Sequence, residues 1–237
     1  MLIAGPGSGK TFVITHKVRY MIEELNIEAS NILVLTFSRA AAMEMRERFA
    51  KLSSDLDSAK KVTWGTFHSV FFNLLKLAYG YRGDQVISDE ERYKIVKELI
   101  IKSKLGTEDL NNLSSSILAE IAFVKQESID IEHYYSNSCS AEVFKSLYKG
   151  YETIKSSLKK IDFEDMLGLT FELLSKREDI RLACQRRYAY ILIDEFQDIN
   201  RMQYEIVKLM LGPEGNISIV GDDDQSIYRF RGAKPEI

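Results

Sequence analysis

Cysteine, proline and net charge are all scarce in this chain. Cys139 and Cys184 are the only cysteines in 237 residues, and they stand far apart, outside any CxxC pair or histidine cluster. That leaves no framework for disulfides, structural zinc or an iron–sulfur cluster, and a reducing, cytoplasmic setting is expected. With three prolines and no Gly/Ser-rich stretch, no flexible linker is expected. The formal net charge is only −3, so no global field draws the molecule to nucleic acid or to an anionic membrane, and any polyanion must be gripped locally. No apolar run is long enough to span a bilayer, and no N-terminal stretch has the charged head, apolar middle and cleavage site of a signal peptide. Neither export nor membrane embedding is expected. Low-complexity tracts and fixed-period repeats are also missing.

What remains is ordinary globular material, 45% hydrophobic, enough for one large domain or two modest ones. Short runs rich in Ile, Val and Leu at residues 1–4, 31–36, 61–64, 190–194 and 217–220 suit strands buried on both faces of a parallel sheet. Helical patterns follow nearly every run, at 10–25, 39–52, 67–79 and 202–211, and repeated strand-then-helix order predicts an α/β parallel sheet flanked by helices. Between about residues 80 and 160 the strand signals vanish. Helical stretches near 89–104, 113–126 and 141–159 take over, the first opened by a capping box of Ser88 and Glu91. The chain is therefore expected to fold as an α/β domain from residues 1–80 and 160–237, with an all-helical insertion at 81–159.

The chemistry begins at Ala4-Gly5-Pro6-Gly7-Ser8-Gly9-Lys10-Thr11. Glycines here let backbone N–H groups turn inward around phosphate oxygens, Lys10 adds a point charge, and the Thr11 hydroxyl can ligate Mg²⁺ at the start of a helix. The strict pattern has Gly where this chain has Ala4. A glycine-rich turn with a solvated Lys10 is the bland alternative, and the flanking strand and helix argue against it.

A second strand, Ile191-Leu192-Ile193, ends in Asp194 and Glu195. Ligands of open parallel sheets sit outside the carboxyl ends of the strands, so Asp194 is expected to hold Mg²⁺ and Glu195 to accept a proton from the water attacking a γ-phosphate. Acidic residues also favour helix starts, but Asn200 and Gln203 supply that signal better. A third segment, Gly221 to Ala233, follows the last strand as an acid-rich turn with one glutamine, Gln225, and then alternates aromatic and basic residues through Tyr228-Arg229-Phe230-Arg231. From spacing alone, Tyr228 and Phe230 could equally face a core.

Taken in order and spacing, AGPGSGKT, LTFSRAAAMEMRERF, GTFHS, LIDEFQD and VGDDDQSIYRFRGA resemble the first motifs of UvrD/Rep-type superfamily 1 DNA helicases. The resemblance covers residues 1–69 and about 161–237, and the helical middle matches only in kind. It implies a P-loop NTPase (RecA-like) motor domain that binds ATP and Mg²⁺ and hydrolyses ATP to move on single-stranded DNA, 3′ to 5′, in repair or replication. It further implies that residues 4–11 cradle the nucleotide, with Lys10 and Glu195 catalytic and Gln225 sensing the γ-phosphate. Single-stranded DNA would be held by Phe37, Arg39, Thr66, His68, Tyr228 and Phe230. Stacking on aromatics suits such a motor because every base offers a π face, and each stacked base contributes about 1–3 kcal/mol. Outside their motifs, Phe37 reads as core and His68 as a structural histidine. Phe163-Glu164-Asp165-Met166-Leu167 resembles the family's acidic-aromatic segment, or simply the acidic first turn of a helix, and is assigned no chemistry.

Departures qualify the match. Ala40 stands where many relatives have lysine and Phe230 where many have tryptophan; the upstream nucleotide-reading glutamine has no counterpart, and the chain ends just past the third motif. The expectation is a monomeric fragment, nearly inactive as an ATPase without the second motor domain of the parent chain, whose arginines typically contribute about 10³–10⁵ in rate. Two other readings stay open: the motor part of a recombination helicase-nuclease, and a non-motor nucleotide switch.

Overall fold

The computed structural model describes the backbone of residues 2–3 and residues 9–103, 105, 109–213 and 215–221. In chain order it contains β1 (Leu2–Ile3), α1 (Lys10–Glu23), β2 (Ile32–Thr36), α2 (Arg39–Leu52), α3 (Leu56–Lys61), β3 (Thr63–Thr66) and α4 (Phe67–Tyr79). Next come α5 (Asp89–Lys102), α6 (Leu110–Gln126), α7 (Ala141–Ser157), α8 (Phe163–Lys176) and α9 (Glu178–Arg187), then β4 (Tyr190–Ile193), α10 (Arg201–Met210) and β5 (Asn216–Gly221). The chain divides into two compact units, residues 1–78 with 169–237, and residues 79–168. No described helix is long and apolar enough to cross a membrane.

The first unit is built on a parallel sheet in the order β1-β5-β4-β2-β3. Every residue of β2 is buried, as expected of a strand covered on both faces. Side chains alternate between those faces: Ile32 and Val34 join Ile14, Val18, Met45 and Phe49 of α1 and α2 in one cluster, while Leu33 and Leu35, equally buried, point to the opposite face. Leu192 of β4 belongs to the first cluster, and its neighbours Ile191 and Ile193 to the other side. At about 25 cal/mol per Å² of apolar surface removed from water, such two-sided burial is the main stabilising term.

Helix starts are fixed by side chains. The Ser38 hydroxyl accepts from the Ala41 N–H at 3.0 Å to open α2. The Thr66 hydroxyl accepts from the Ser69 N–H at 3.2 Å while Ser69 Oγ accepts from the Thr66 N–H at 2.9 Å, which opens α4. β3 runs two residues later than the apolar run at 61–64 implies, because Lys60 and Lys61 close α3 and the strand continues through Gly65. There a Cβ would lie 2.9 Å from Ser69 Oγ, so the residue that reads as a terminator in sequence is what lets α4 turn back tightly.

The second unit has its own core, Ile95, Val96, Ile100, Ile117, Ile121, Phe144 and Tyr151 among its members, drawn from α5, α6 and α7. The Ser88–Glu91 capping box opens α5 as expected. The two ends of the unit are stitched by backbone bonds, Ile87 N–H to Ile161 O at 2.9 Å and Ile161 N–H to Gln85 O at 2.8 Å. Beside them lies a buried ionic network. Lys125 Nζ donates to Glu152 at 3.1 Å, to both oxygens of Asp162 at 2.7 Å and to Asp165 at 2.6 Å, and Lys155 bonds the same three carboxylates. These three acids lie close enough to suggest a cation site, but two ammonium groups already occupy the space between them.

Candidate functional site at the carboxyl edge of the sheet

Parallel strands place all their carboxyl ends on one edge, and the predicted site residues follow those ends. β1 leads towards Lys10 and Thr11, and β4 into Asp194 and Glu195. β2 leads into Phe37 and Arg39, while Thr66 ends β3 and His68 follows it. In the strand order β1-β5-β4-β2-β3, the described nucleotide candidates follow strands on one side of the sheet and the described DNA candidates follow strands on the other.

Gly9 precedes α1 at φ 84°, ψ 26°, a left-handed conformation that costs a residue with a Cβ about 1–2 kcal/mol. Its turn sets Lys10 in the first helical position, where the side chain is buried and donates from Nζ to Glu195 Oε2 at 2.8 Å. An ammonium so far out of water requires an anion, and Glu195 supplies it. Across 185 residues of sequence, the phosphate-loop lysine and the acidic strand end therefore meet.

Glu195 itself is left-handed, at φ 53°, ψ 47°, without being glycine or asparagine. That uncommon geometry separates the two adjacent acids. Asp194 keeps its N–H in the sheet, donating to Leu35 O at 2.9 Å, and is only 4% exposed. Glu195 leaves the sheet, with its side chain 34% exposed, and reaches Lys10.

Asp194 is electrostatically unsettled. Its Oδ1 is buried with no hydrogen-bond partner among the described residues. Burial first, and the Glu195 charge second, push its carboxyl up to about 6, against a hydrogen bond from the Glu195 N–H and the pull of Lys10. A buried oxygen without a donor is a standing cost that a proton or a hard cation can remove, and a carboxylate oxygen is the ligand chemistry magnesium prefers.

Sequence reasoning missed Gln197. It is buried, and its Nε2 donates to Glu195 Oε2 at 2.7 Å, the same oxygen that Lys10 holds. Only its place inside LIDEFQD could have drawn attention to it, since the approach depends on the left-handed backbone at Glu195. The alternative duty for the acids, capping the next helix, is taken by others: Asn200 Oδ1 accepts from the Gln203 N–H at 2.8 Å, and Gln203 Oε1 accepts from the Asn200 N–H at 3.1 Å.

On the β2–β3 side, Phe37 is half-buried and packs its ring against Phe67, with centroids 5.4 Å apart. Arg39 is exposed in the first turn of α2, beside the Ser38 cap. Thr66 is buried and its hydroxyl is committed to the N–H of Ser69. Burial lowers the His68 imidazole below its usual value, which keeps the ring neutral at pH 7. Ala4, Gly5, Pro6, Gly7 and Ser8 of the phosphate loop, and Gln225, Tyr228 and Phe230 of the third motif, lie outside the described residues.

Comparison with known proteins matches residues 1–237 to the UvrD/REP helicase N-terminal domain. The chain is 38% identical to a putative ATP-dependent DNA helicase YjcD of Bacillus subtilis (strain 168), over 99% of this chain and 31% of that protein. It is 34% identical to the ATP-dependent DNA helicase PcrA of Leuconostoc citreum (98% of this chain, 32% of that protein) and 32% identical to the ATP-dependent DNA helicase Rep of Escherichia coli K12 (100% and 35%). The chain thus spans about a third of the length of these curated relatives. Its whole described site lies within the matched region, and the chain belongs to the UvrD/REP helicase family.

Proposed function

We propose that the chain is the ATP-binding portion of an ATP-dependent DNA helicase or translocase that moves 3′ to 5′ on single-stranded DNA in repair or replication. The motor domain is a RecA-like P-loop NTPase formed by residues 1–80 and 160–237, with 81–159 as a helical insertion. The names of the relatives, ATP-dependent DNA helicases, support this reading. One observation carries it: Lys10 and Glu195 meet at 2.8 Å beside a buried Asp194 oxygen that has no partner among the described residues.

Residues 4–11 would wrap the phosphates with backbone N–H groups, and Lys10 would exchange Glu195 for phosphate oxygens when the triphosphate arrives. Asp194 and Thr11 fit as holders of Mg²⁺, which when bound neutralises charge on the phosphates. Glu195, released from Lys10, accepts a proton from the attacking water. Gln225 senses the γ-phosphate.

Single-stranded DNA would lie along the β2–β3 side and the third motif, touching Phe37, Arg39, Thr66, His68, Tyr228 and Phe230. With His68 neutral and Thr66 engaged as a cap, Arg39 is the cation of the described set that remains for a phosphate. The test is fluorescence anisotropy of a labelled oligo(dT) titrated with the chain at low salt, with and without Mg²⁺ and a non-hydrolysable ATP analogue. Binding whose strength changes with nucleotide is expected, and the nucleotide affinity must change by the same factor with DNA. Binding of nucleotide with no binding of oligo(dT) in either state contradicts the motor reading and favours a nucleotide switch.

A further inference from the structure

We infer that Gln197 is a positioning residue that holds Glu195 in its working place and ties that place to the carboxyl end of β5. The inference rests on the nucleotide reading above and assigns a part that neither the composition nor the motif roles supply.

Among the described residues Glu195 Oε2 has two donors, Lys10 Nζ at 2.8 Å and Gln197 Nε2 at 2.7 Å. They are not equivalent. Lys10 sits in the first turn of α1, at the end of the phosphate loop, and a triphosphate there competes for its ammonium with several negative charges against the single charge of Glu195. Once Lys10 turns to the phosphates, Gln197 is the described donor that stays. A carboxamide suits this duty because it orients a carboxylate without neutralising it, so Glu195 keeps the charge it needs to accept a proton. The left-handed backbone at Glu195 makes the arrangement over-determined, since it brings a residue two positions on back to its carboxylate.

The other end of the same carboxamide faces β5. A Cβ on Gly221 would lie 2.8 Å from Gln197 Oε1, and 3.4 Å from the Phe196 nitrogen. Gly221 pairs in register with Ile3 of β1, the strand that leads into the phosphate loop, and in sequence it leads directly into the third motif. The amide of Gln197 therefore spans from the β5 terminus to the oxygen of Glu195. A shift of the β5 end changes where the carboxamide can sit, and with it where the carboxylate points. This links the segment after β5 to the proton-accepting group through one side chain.

The test is single-turnover hydrolysis followed over hours, since turnover by the 237-residue chain is expected to be slow, with the chain in excess over radiolabelled ATP, together with ATP affinity and melting temperature for each variant. Glu195→Gln sets the floor, expected roughly 10²-fold or more below wild type for loss of a general base. Gln197→Leu keeps bulk but loses the donor, and Gly221→Ala leaves Gln197 in place while pushing its carboxamide aside, so either variant can be read if the other folds poorly. Each is expected to slow hydrolysis about tenfold, the worth of one hydrogen bond to a charged group, with ATP affinity within about twofold of wild type. The double variant is expected to be no slower than the slower single one, because both act on the same contact.

A merely structural role would lower melting temperature and affinity together and leave the rate ratio unchanged. Hydrolysis by Gln197→Leu at the wild-type rate, or additive effects of the two substitutions, overturns the inference. So does a wild-type rate equal to that of Glu195→Gln while ATP still binds. Undiminished ATP binding by Lys10→Ala would instead overturn the nucleotide reading itself.

Discussion

Replacing Asp194 with Asn should stabilise the metal-free chain at neutral pH and should do so by an amount that depends on pH. The carboxyl is raised from an ordinary 3.8 to about 6 by burial and by the Glu195 charge, and the residue is 4% exposed, so little solvent screening intervenes. At about 1.36 kcal/mol per unit, the ionised form costs the native state roughly 3 kcal/mol at pH 7. Because the folded value is the higher one, the native chain binds a proton that the unfolded chain has released. Its favourable contribution is full below about pH 4 and fades as pH rises through about 6. Asparagine is isosteric and does not titrate. The difference in unfolding free energy between Asp194→Asn and wild type should therefore grow by about 2 kcal/mol between pH 4.5 and 7.5, since most of the linkage integral lies in that interval. Acids that do not interact with residue 194 titrate equally in both chains and cancel. Trp64, the only tryptophan, packs against Phe49 in the core of the first unit and reports that unit's unfolding by fluorescence in urea with a chelator present. The same substitution should weaken magnesium-dependent nucleotide binding, so that added Mg²⁺ and ATP stabilise wild type more than the variant. A stability difference that is flat in pH would refute the account of Asp194 as a buried, charge-strained carboxylate.

Two further outcomes follow from the described contacts. Lys125→Met should destabilise the second unit by about 1–3 kcal/mol, because the fully buried Asp162 carboxylate keeps Lys155 but loses one of its two ammonium partners; amide hydrogen exchange in residues 79–168 reads this directly. Burial raises the Asp162 carboxyl, but Lys125 and Lys155 outweigh it and hold the group below its usual value, so this stabilisation is present above about pH 4 and lost as the pH falls through the lower native value. Arg39→Ala should weaken oligo(dT) binding at low salt and reduce the slope of log affinity against log salt by about 0.7, the signature of one phosphate contact on a single strand.

Much of this layout could be read from residue order because parallel-sheet strands are near-continuous apolar runs and helix starts carry side-chain signals. The run at 31–36 becomes β2, and the boxes Ser88/Glu91 and Asn200/Gln203 open α5 and α10 as their spacing implies. Other elements were hidden by composition. In α9 charged residues dominate and Cys184 is the buried member, so the apolar periodicity that marks an amphipathic helix is missing. In α8 the acidic start was visible, but Gly168 lowers the helical propensity of its middle.

The site shows the same division. Lys10, Asp194 and Glu195 could be named from motifs, because their chemistry and strand ends are local properties. That Lys10 pairs with Glu195, that Asp194 Oδ1 is buried without a donor among the described residues, and that Gln197 joins them all depend on the left-handed backbone at Glu195 and on tertiary approach, which no local pattern encodes.

Calorimetric titration of Mg²⁺ and ATP into the wild-type chain and into Lys10→Ala tests most directly whether these side chains form a nucleotide site. Loss of a charge-assisted contact predicts affinity about 10- to 100-fold weaker for the variant, with melting temperature near or above wild type once Glu195 is freed to solvent. Equal affinity in the two chains, or no ATP binding by either, would contradict the account.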